Sequence, residues 1–216
     1  MSAELSPLRA SAVFEPLSTE RLMLRGLMDE DCESIFAYRS DPDVARYQGW
    51  KPPTLESVAD FIREMQAVAP NTPGAWLQIG LCLKEERRLI GDIGLHFFED
   101  GAQMEIGYSL ARAYWGYGYA TEGLTAALNY CFIRLGKHRV TASVAPENQR
   151  SIALLERLGM RREAYHVKSL YLNGQWEDDM IYAILREEWL ARPEPDAALL
   201  RKKLPGSARD RFFLPF

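Results

Sequence analysis

The fold of this chain is decided by the stretch MEIGYSLARAYWGYGYAT at residues 104–121. Its first seven residues form a short apolar run that predicts a buried strand. Small residues then alternate with aromatic ones, so that Gly116, Gly118 and Ala120 leave the backbone uncovered just before a helical pattern begins at Thr121. Free N–H groups at the start of a helix bind anions, and the helix dipole adds to the attraction. The stretch therefore predicts a strand, a phosphate-binding loop and a helix in succession.

The composition indicates one domain with a full hydrophobic core. Of the 216 residues, 47% are hydrophobic, and 26 Lys and Arg stand against 30 Asp and Glu, a net charge of −4. This balance argues against a nucleic-acid-binding protein, which favours a basic excess. No apolar run approaches the roughly 20 residues that span a membrane, and the first residues do not have the pattern of a signal peptide.

The cysteines and histidines predict neither a disulfide framework nor a metal site. Cys32, Cys82 and Cys131 are odd in number and form no CxxC pair. The three histidines are scattered along the chain and do not cluster as ligands do. We therefore expect reduced thiols, no metal and a cytoplasmic location.

Hydrophobic periodicity predicts a mixed series of strands and helices. A break is expected at 40–43, and a turn with exposed aromatic residues at 46–53. The order β-α-α-β-β-β-α-β-α-β-β is that of a mixed α/β fold, with an antiparallel front half joined to crossover units. Strands are expected at 19–27, 76–83, 89–98, 103–110, 139–144, 162–172 and 177–185, and helices at about 29–39, 54–68, 121–135, 149–158 and 187–191.

Four segments, in this order and spacing, resemble the GNAT N-acetyltransferase superfamily and, within it, the RimJ/RimL-like branch. The resemblance covers about 16–190, which we interpret as one domain between a lead-in at 1–15 and a tail at 191–216. The segments are LSTERLMLR at 17–25, MEIGY at 104–108 with YWGYGYATE at 114–122, Asn148 and Ser151 with LLERLGM at 154–160, and YLNGQWED at 171–178 with YAIL at 182–185.

The resemblance implies an α/β fold with a mixed sheet whose two central strands splay apart. It also implies acetyl-CoA as the donor, coenzyme A as a product, and direct attack of a primary amine on the thioester. The splayed strand would bind the pantetheine arm through its backbone, as a sheet binds an added strand. The cofactor-binding residues expected on this basis are Tyr108, Ser109, Leu110, Trp115, Gly116, Tyr117, Gly118, Tyr119, Ala120, Thr121, Asn148 and Ser151.

Two residues are candidates for the chemistry. Glu105 is the candidate base, acting through a water, because burial in an apolar strand raises a carboxyl pKa toward neutrality. Many members of the superfamily protonate the leaving thiolate with a Tyr seven residues after the Asn, a position that is Leu155 here. Ser151, one turn earlier on the same helix, is then the candidate that donates to the departing sulfur. The structural alternatives are an ion pair for Glu105 and helix initiation for Ser151 and Asn148.

The acceptor amine is expected between the first two helices and the last hairpin. The candidates to line its site are Tyr47, Trp50, Tyr171 and Trp176, because aromatic rings beside carboxylates suit a cationic amine. Three acceptor classes remain open: a protein or peptide N-terminus, a small amine such as an aminoglycoside or a polyamine, and an amino acid or peptide-like metabolite.

Two other functions compete with acetyl transfer. A dinucleotide-binding enzyme needs an early βαβ unit and an acidic residue about 20 positions after the loop, where this chain has His138. A non-catalytic acyl-CoA-binding module is compatible with the replacement of the Tyr by Leu155. A homodimer is a further expectation, since the closing hairpin is rich in aromatic residues.

Overall fold

A computed structural model describes residues 13–192 of the chain. Most of the predicted lead-in (1–12) and of the predicted tail (193–216) lies outside the described residues. The strands are β1 (Leu17–Ser18), β2 (Leu22–Gly26), β3 (Trp76–Leu83), β4 (Leu89–Phe97), β5 (Gln103–Leu110), β6 (Arg139–Val144), β7 (Arg161–Leu172) and β8 (Gln175–Leu185). The helices are α1 (Cys32–Ser40), α2 (Pro42–Ala45), α3 (Leu55–Gln66), α4 (Tyr119–Asn129), α5 (Gln149–Arg157) and α6 (Arg186–Leu190).

All eight strands form one mixed sheet in the order β1-β2-β3-β4-β5-β6-β8-β7. Neighbouring strands are antiparallel, except that β5 and β6 are parallel. Helix α4 makes the crossover between these two parallel strands, and α5 makes the crossover from β6 toward the closing hairpin. The mixed α/β fold and its order of main elements are therefore confirmed.

Helices cover both faces of the sheet. On one face, α4 and α5 bury Leu124, Leu128 and Leu155 against the central strands. On the other, α1 and α3 bury Ile35 and Ile62 in a second cluster. Because side chains alternate along a strand, each central strand contributes to both faces. The Glu105 and Tyr108 side chains of β5 therefore lie on opposite faces of the sheet.

A buried polar network joins α1 to the centre of the sheet. Asp92 on β4 is fully buried and accepts hydrogen bonds from Tyr38, Arg39 and Gln78. The Arg39 Nη2 to Asp92 Oδ1 distance is 2.7 Å. Burial and the negative charge of Asp92 raise the pKa of the Tyr38 hydroxyl, so it stays protonated. The network fixes α1, and the loop that follows it, against β4.

The sequence predictions differ from the structure in three places. The strand expected at 19–27 begins only at Leu22, because Thr19 Oγ1 accepts the Leu22 N–H in a tight turn that joins β2 to the preceding short strand β1. The expected break at 40–43 contains the short helix α2, which Asp41 caps by accepting the Asp43 N–H. The helix expected at 121–135 begins two residues earlier and ends in a wide turn, Tyr130–Arg134.

Within residues 13–192, no helix is long and apolar enough to cross a membrane. In the same range, no group of three or more His, Cys, Asp and Glu side chains is arranged to hold a metal ion.

Candidate active site

The parallel pair β5 and β6 separates in the middle of the sheet. Pairing joins Gln103, Met104 and Glu105 to Arg139, Val140 and Thr141 and then ends, although β5 continues to Leu110. Beyond Glu105, strand β5 is paired only on its β4 side. The backbone groups of residues 106–110 that face β6 therefore have no strand partner. The Tyr108 carbonyl accepts from Gln48 and the Leu110 carbonyl from Trp115, and the other groups are available to an extended ligand arm. This gap is the splayed strand pair that the family resemblance implies.

The loop that follows β5 leads directly to the start of α4. Gly116 and Gly118 have φ of 83° and 85°, a conformation that side-chain-bearing residues rarely adopt. Gly118 is the N-cap, and the Glu122 N–H makes the first helical bond, at 3.0 Å, to the Gly118 carbonyl. The N–H groups of residues 119–121 precede that bond and are the free donors of a helix N-terminus. The geometry suits a phosphate group.

An ion pair beneath this loop holds it in place, and sequence reasoning missed it. Glu122 on α4 is buried and accepts from Arg21 Nε at 2.7 Å, from the Arg21 backbone N–H at 2.7 Å and from Thr19 Oγ1 at 2.6 Å. Arg21 Nη1 donates to the Tyr117 carbonyl at 2.9 Å, and its guanidinium lies 4.4 Å from the centre of the Tyr119 ring. Opposite charges inside two otherwise apolar elements were the available signal for this contact.

The two predicted residues at the start of α5 contact each other and β5. Asn148 is the N-cap and accepts the Ser151 N–H at 3.2 Å, which is the capping role that the sequence left open. The Ser151 hydroxyl lies 2.5 Å from the Tyr108 hydroxyl. Leu155, at the position where many members of the superfamily have a Tyr, is buried in the core and 1% exposed. The Tyr108 and Ser151 side chains thus meet on the face of the sheet that α5 covers.

Glu105 lies on the opposite face of the sheet from Tyr108, and it is the last residue of β5 that is paired with β6. Burial raises the pKa of its carboxyl, and Asp179 raises it further, while His96 acts in the opposite direction. Asp179 on β8 is itself buried and accepts from Ser143 Oγ at 2.7 Å. Glu105 is half-buried and its pKa is raised, which is the direction that favours a general base.

An aromatic row continues from Glu105 across the sheet and was also missed in the sequence. His96 is paired with Glu105 in register, and Trp76 is paired with His96, so their side chains point to the same face. The Trp76 and His96 rings stack with centroids 4.8 Å apart. Strand register alone brings these three residues together, and a single sequence does not specify register.

The four predicted acceptor residues separate into two pairs. Tyr47 and Trp50 are half-buried, so the expectation of exposed rings at 46–53 is wrong: Trp50 packs on Phe61, with centroids 4.6 Å apart. Tyr171 and Trp176 are exposed at the end of the closing hairpin, with centroids 5.2 Å apart.

A cavity of about 480 Å³ lies between α2, the loop after it and the turn of the closing hairpin, and its lining includes Arg46 and Lys51. The other lining residues are Pro42, Asp43, Ala45 and Asn173.

The remaining predicted residues lie in the loop and in β5. Trp115 Nε1 donates to the Leu110 carbonyl at 2.7 Å, and the Arg150 guanidinium lies 4.7 Å from the Trp115 ring. Ser109 is buried, with a hydroxyl that has no hydrogen-bond partner within the described part of the chain. Tyr117, Tyr119, Ala120 and Thr121 are half-buried along the start of α4.

Comparison with known proteins identifies the family to which this fold belongs. The family described as Acetyltransferase (GNAT) domain matches residues 21–161. The Uncharacterized N-acetyltransferase YoaA of Bacillus subtilis is 32% identical over 81% of this chain and 98% of its own. The [Ribosomal protein uS5]-alanine N-acetyltransferase of Escherichia coli is 29% identical over 80% of this chain and 92% of its own. A solved GNAT-family acetyltransferase from Bacillus anthracis is 33% identical, with a TM-score of 0.73 over 81% of this chain and all of its own.

Proposed function

Because this chain belongs to the GNAT acetyltransferase family, we propose that it transfers an acetyl group from acetyl-CoA to the amino terminus of a peptide or protein. The observation that carries this proposal is the gap between β5 and β6. Beside it, Glu105 lies on one face of the sheet and the Tyr108–Ser151 pair lies on the other face. The attacking amine needs a proton acceptor and the departing sulfur needs a hydrogen-bond donor, and these two groups lie on different sides of the acyl carbon. The two faces of β5 supply such partners.

The residues present fit acetyl-CoA. The unpaired edge of β5 beyond Glu105 offers backbone groups to the amides of the pantetheine arm. The N-terminus of α4, with the two positive-φ glycines before it, offers N–H groups to the pyrophosphate. The space around the missing Cβ of Gly116 is open, so a phosphate can approach the backbone there. When bound, acetyl-CoA supplies an acyl carbon that is already activated as a thioester.

Glu105 is the proposed base. Its raised pKa lets it take a proton from the acceptor ammonium, through a water, near neutral pH. That proton passes through the water to Glu105 and on to solvent before attack, because only the neutral amine has the lone pair that forms the C–N bond. As the C–S bond then breaks, the new amide nitrogen loses a second proton along the same water path. The sulfur departs as a thiolate beside Ser151 and takes a proton from water on release. No enzyme nucleophile is needed, because holding the amine at attack distance provides much of the rate.

The cavity beside α2 supports an extended acceptor. The loop that contributes Arg46 and Lys51 is tied to β5 by Gln48, whose Nε2 donates to the Tyr108 carbonyl at 3.3 Å. Among the described residues, neither Arg46 nor Lys51 has a carboxylate within ion-pairing distance. Two cations without an ion-pair partner, in a loop that Gln48 joins to β5, suit a peptide with acidic residues close behind its N-terminus. The uS5-alanine acetyltransferase of Escherichia coli, by its name, also acts on a protein alanine.

Thiol release from acetyl-CoA with a panel of amines tests the proposal. The panel contains acidic and basic N-terminal peptides, the same peptides with blocked N-termini, aminoglycosides, polyamines and free amino acids. We expect release with free N-termini, none with blocked ones, and a higher kcat/KM for acidic peptides. Replacing Arg46 and Lys51 by Gln is expected to lower kcat/KM a few-fold for acidic peptides only. Binding of acetyl-CoA without release across the panel would instead indicate a binding module.

A further inference from the structure

We propose that Tyr108 is a positioning residue, whose hydroxyl donates to Ser151 Oγ and so directs the Ser151 hydroxyl proton toward the departing sulfur. This inference rests on the proposed acetyl transfer, and it assigns the Tyr108 side chain a role beyond backbone contact with the donor. It also explains how the site works with Leu155 at the position where other family members have a Tyr.

The Tyr108–Ser151 contact bridges the gap between the two parallel strands. Tyr108 lies three residues beyond the last β5–β6 pair, and Ser151 lies in the first turn of the helix that follows β6. Their oxygens are 2.5 Å apart, and the Tyr108 hydroxyl is 3.5 Å from the Ser151 carbonyl. The pair therefore joins β5 to the first turn of α5 on one face of the sheet, and Glu105 lies on the other face.

The direction of this hydrogen bond follows from the available acceptors. The Tyr108 hydroxyl carries one proton, and within residues 13–192 its hydrogen-bond partners are both on Ser151. A distance of 3.5 Å to the carbonyl is at the limit for a hydrogen bond, whereas Oγ is close. If Ser151 were the donor, the Tyr108 proton would lack a good acceptor, which is costly in a desolvated place. Tyr108 therefore donates, and Ser151 keeps its own proton for another acceptor.

The Tyr108 hydroxyl remains a donor over the working pH range. Burial raises its pKa to about 12, although the hydrogen bond with Ser151 acts in the opposite direction. Ser151 is held from a second side, because Asn148 Oδ1 accepts its backbone N–H. The third residue of a helix also lies at the positive end of the dipole, which favours a thiolate nearby. The arrangement presents one O–H to a sulfur anion, and hydrogen bonds to anions are stronger than neutral ones.

Replacing Tyr108 by Phe tests this role, with Tyr182→Phe as the matched control. The Tyr182 hydroxyl also contacts α5, at Glu156 Oε1 and 3.2 Å, but it does not contact Ser151. The first readout is the pKa of the CoA thiol bound to the protein, followed by thiolate absorbance across pH, which needs no acceptor. We expect Tyr108→Phe and Ser151→Ala each to raise this pKa by up to about one unit. Tyr182→Phe should leave it unchanged.

Kinetics provide the second readout. Tyr108→Phe is expected to lower kcat about tenfold while KM for acetyl-CoA stays within about twofold, since the chemical step alone depends on the hydroxyl. Ser151→Ala should lower kcat further, and the double variant should match Ser151→Ala alone, because Tyr108 acts through Ser151. Ser151→Thr keeps a hydroxyl and should recover part of the rate.

Two results would overturn the inference. One is a thiol pKa and kcat in Tyr108→Phe equal to those of Tyr182→Phe. The other is a double variant whose losses multiply, which would mean that Tyr108 and Ser151 act independently. If the protein still binds CoA and transfers acetyl groups, either result leaves the proposed function unaffected. A wild-type protein that does not bind CoA would defeat both.

Discussion

Replacing Glu122 by Gln perturbs the ion pair beneath the loop that we propose to bind phosphate, with almost no change in side-chain shape. The Arg21 and Glu122 side chains are 18% and 6% exposed, so the pair is largely removed from water. The Gln oxygen can still accept from Thr19 Oγ1 and from the Arg21 backbone N–H, but its NH₂ group then faces the Arg21 Nε–H donor. Removing one partner of a buried ion pair costs about 3–5 kcal/mol of unfolding free energy. We expect about 3 kcal/mol, because Arg21 keeps the Tyr117 carbonyl and the Tyr119 ring as partners.

Urea unfolding measures this loss, and calorimetry with CoA measures its effect on the loop. For a domain of this size, about 3 kcal/mol corresponds to a fall in Tm of roughly 6–12 °C. CoA affinity should fall about tenfold, because the Arg21 guanidinium that donates to the Tyr117 carbonyl loses the carboxylate that fixes its own position. The matched control is Glu30→Gln, whose carboxylate is 75% exposed and 3.9 Å from Arg25, and it should change stability by less than about 0.5 kcal/mol. Equal stability of the two variants would refute the reasoning.

Three other results follow from the site. The acid limb in the pH profile of kcat/KM should have a pKa above the usual Glu range, because Glu105 must lose its proton to act and burial raises its pKa. The pH profile of the Glu105→Gln variant should lack that limb, and its kcat/KM should be at least 100-fold lower. Gly118→Ala should cost about 1–2 kcal/mol in urea unfolding and weaken CoA binding, because φ is 85° and Arg21 Nη2 lies 3.4 Å from the new Cβ, whereas Gly49→Ala meets no atom within 4 Å. Maleimide should label Cys32 first in mass spectrometry of the native protein, since the other two cysteines are buried; equal labelling of all three would contradict the described core.

Much of the fold could be read from the sequence because its periodicity is strong and local. Strands 76–83, 103–110 and 139–144 coincide with β3, β5 and β6. The Asn173-Gly174 turn also lies where expected, because both residues adopt the positive φ that this turn requires. The short helix α2 was missed, since the Pro at its first position was interpreted only as a breaker of α1.

The candidate site was predicted less completely, for a physical reason. Its loop is contiguous in the chain, so the glycines and the start of α4 could be recognised from spacing. Arg21 and Glu122 are separated by 101 residues, and Tyr108 and Ser151 by 43. Contacts of that separation depend on how elements pack, which no local pattern encodes.

By itself, the sequence determined the order of elements and the position of the glycine loop before α4, because these depend on near neighbours in the chain. Glu105 became a candidate because it lies in an apolar strand, and Ser151 became one through the family resemblance. Tertiary structure alone decided that β5 and β6 separate after Glu105, that Trp76 and His96 extend the row beside it, and that Tyr108 reaches Ser151. Strand register and helix packing set those distances, and both are properties of the assembled sheet.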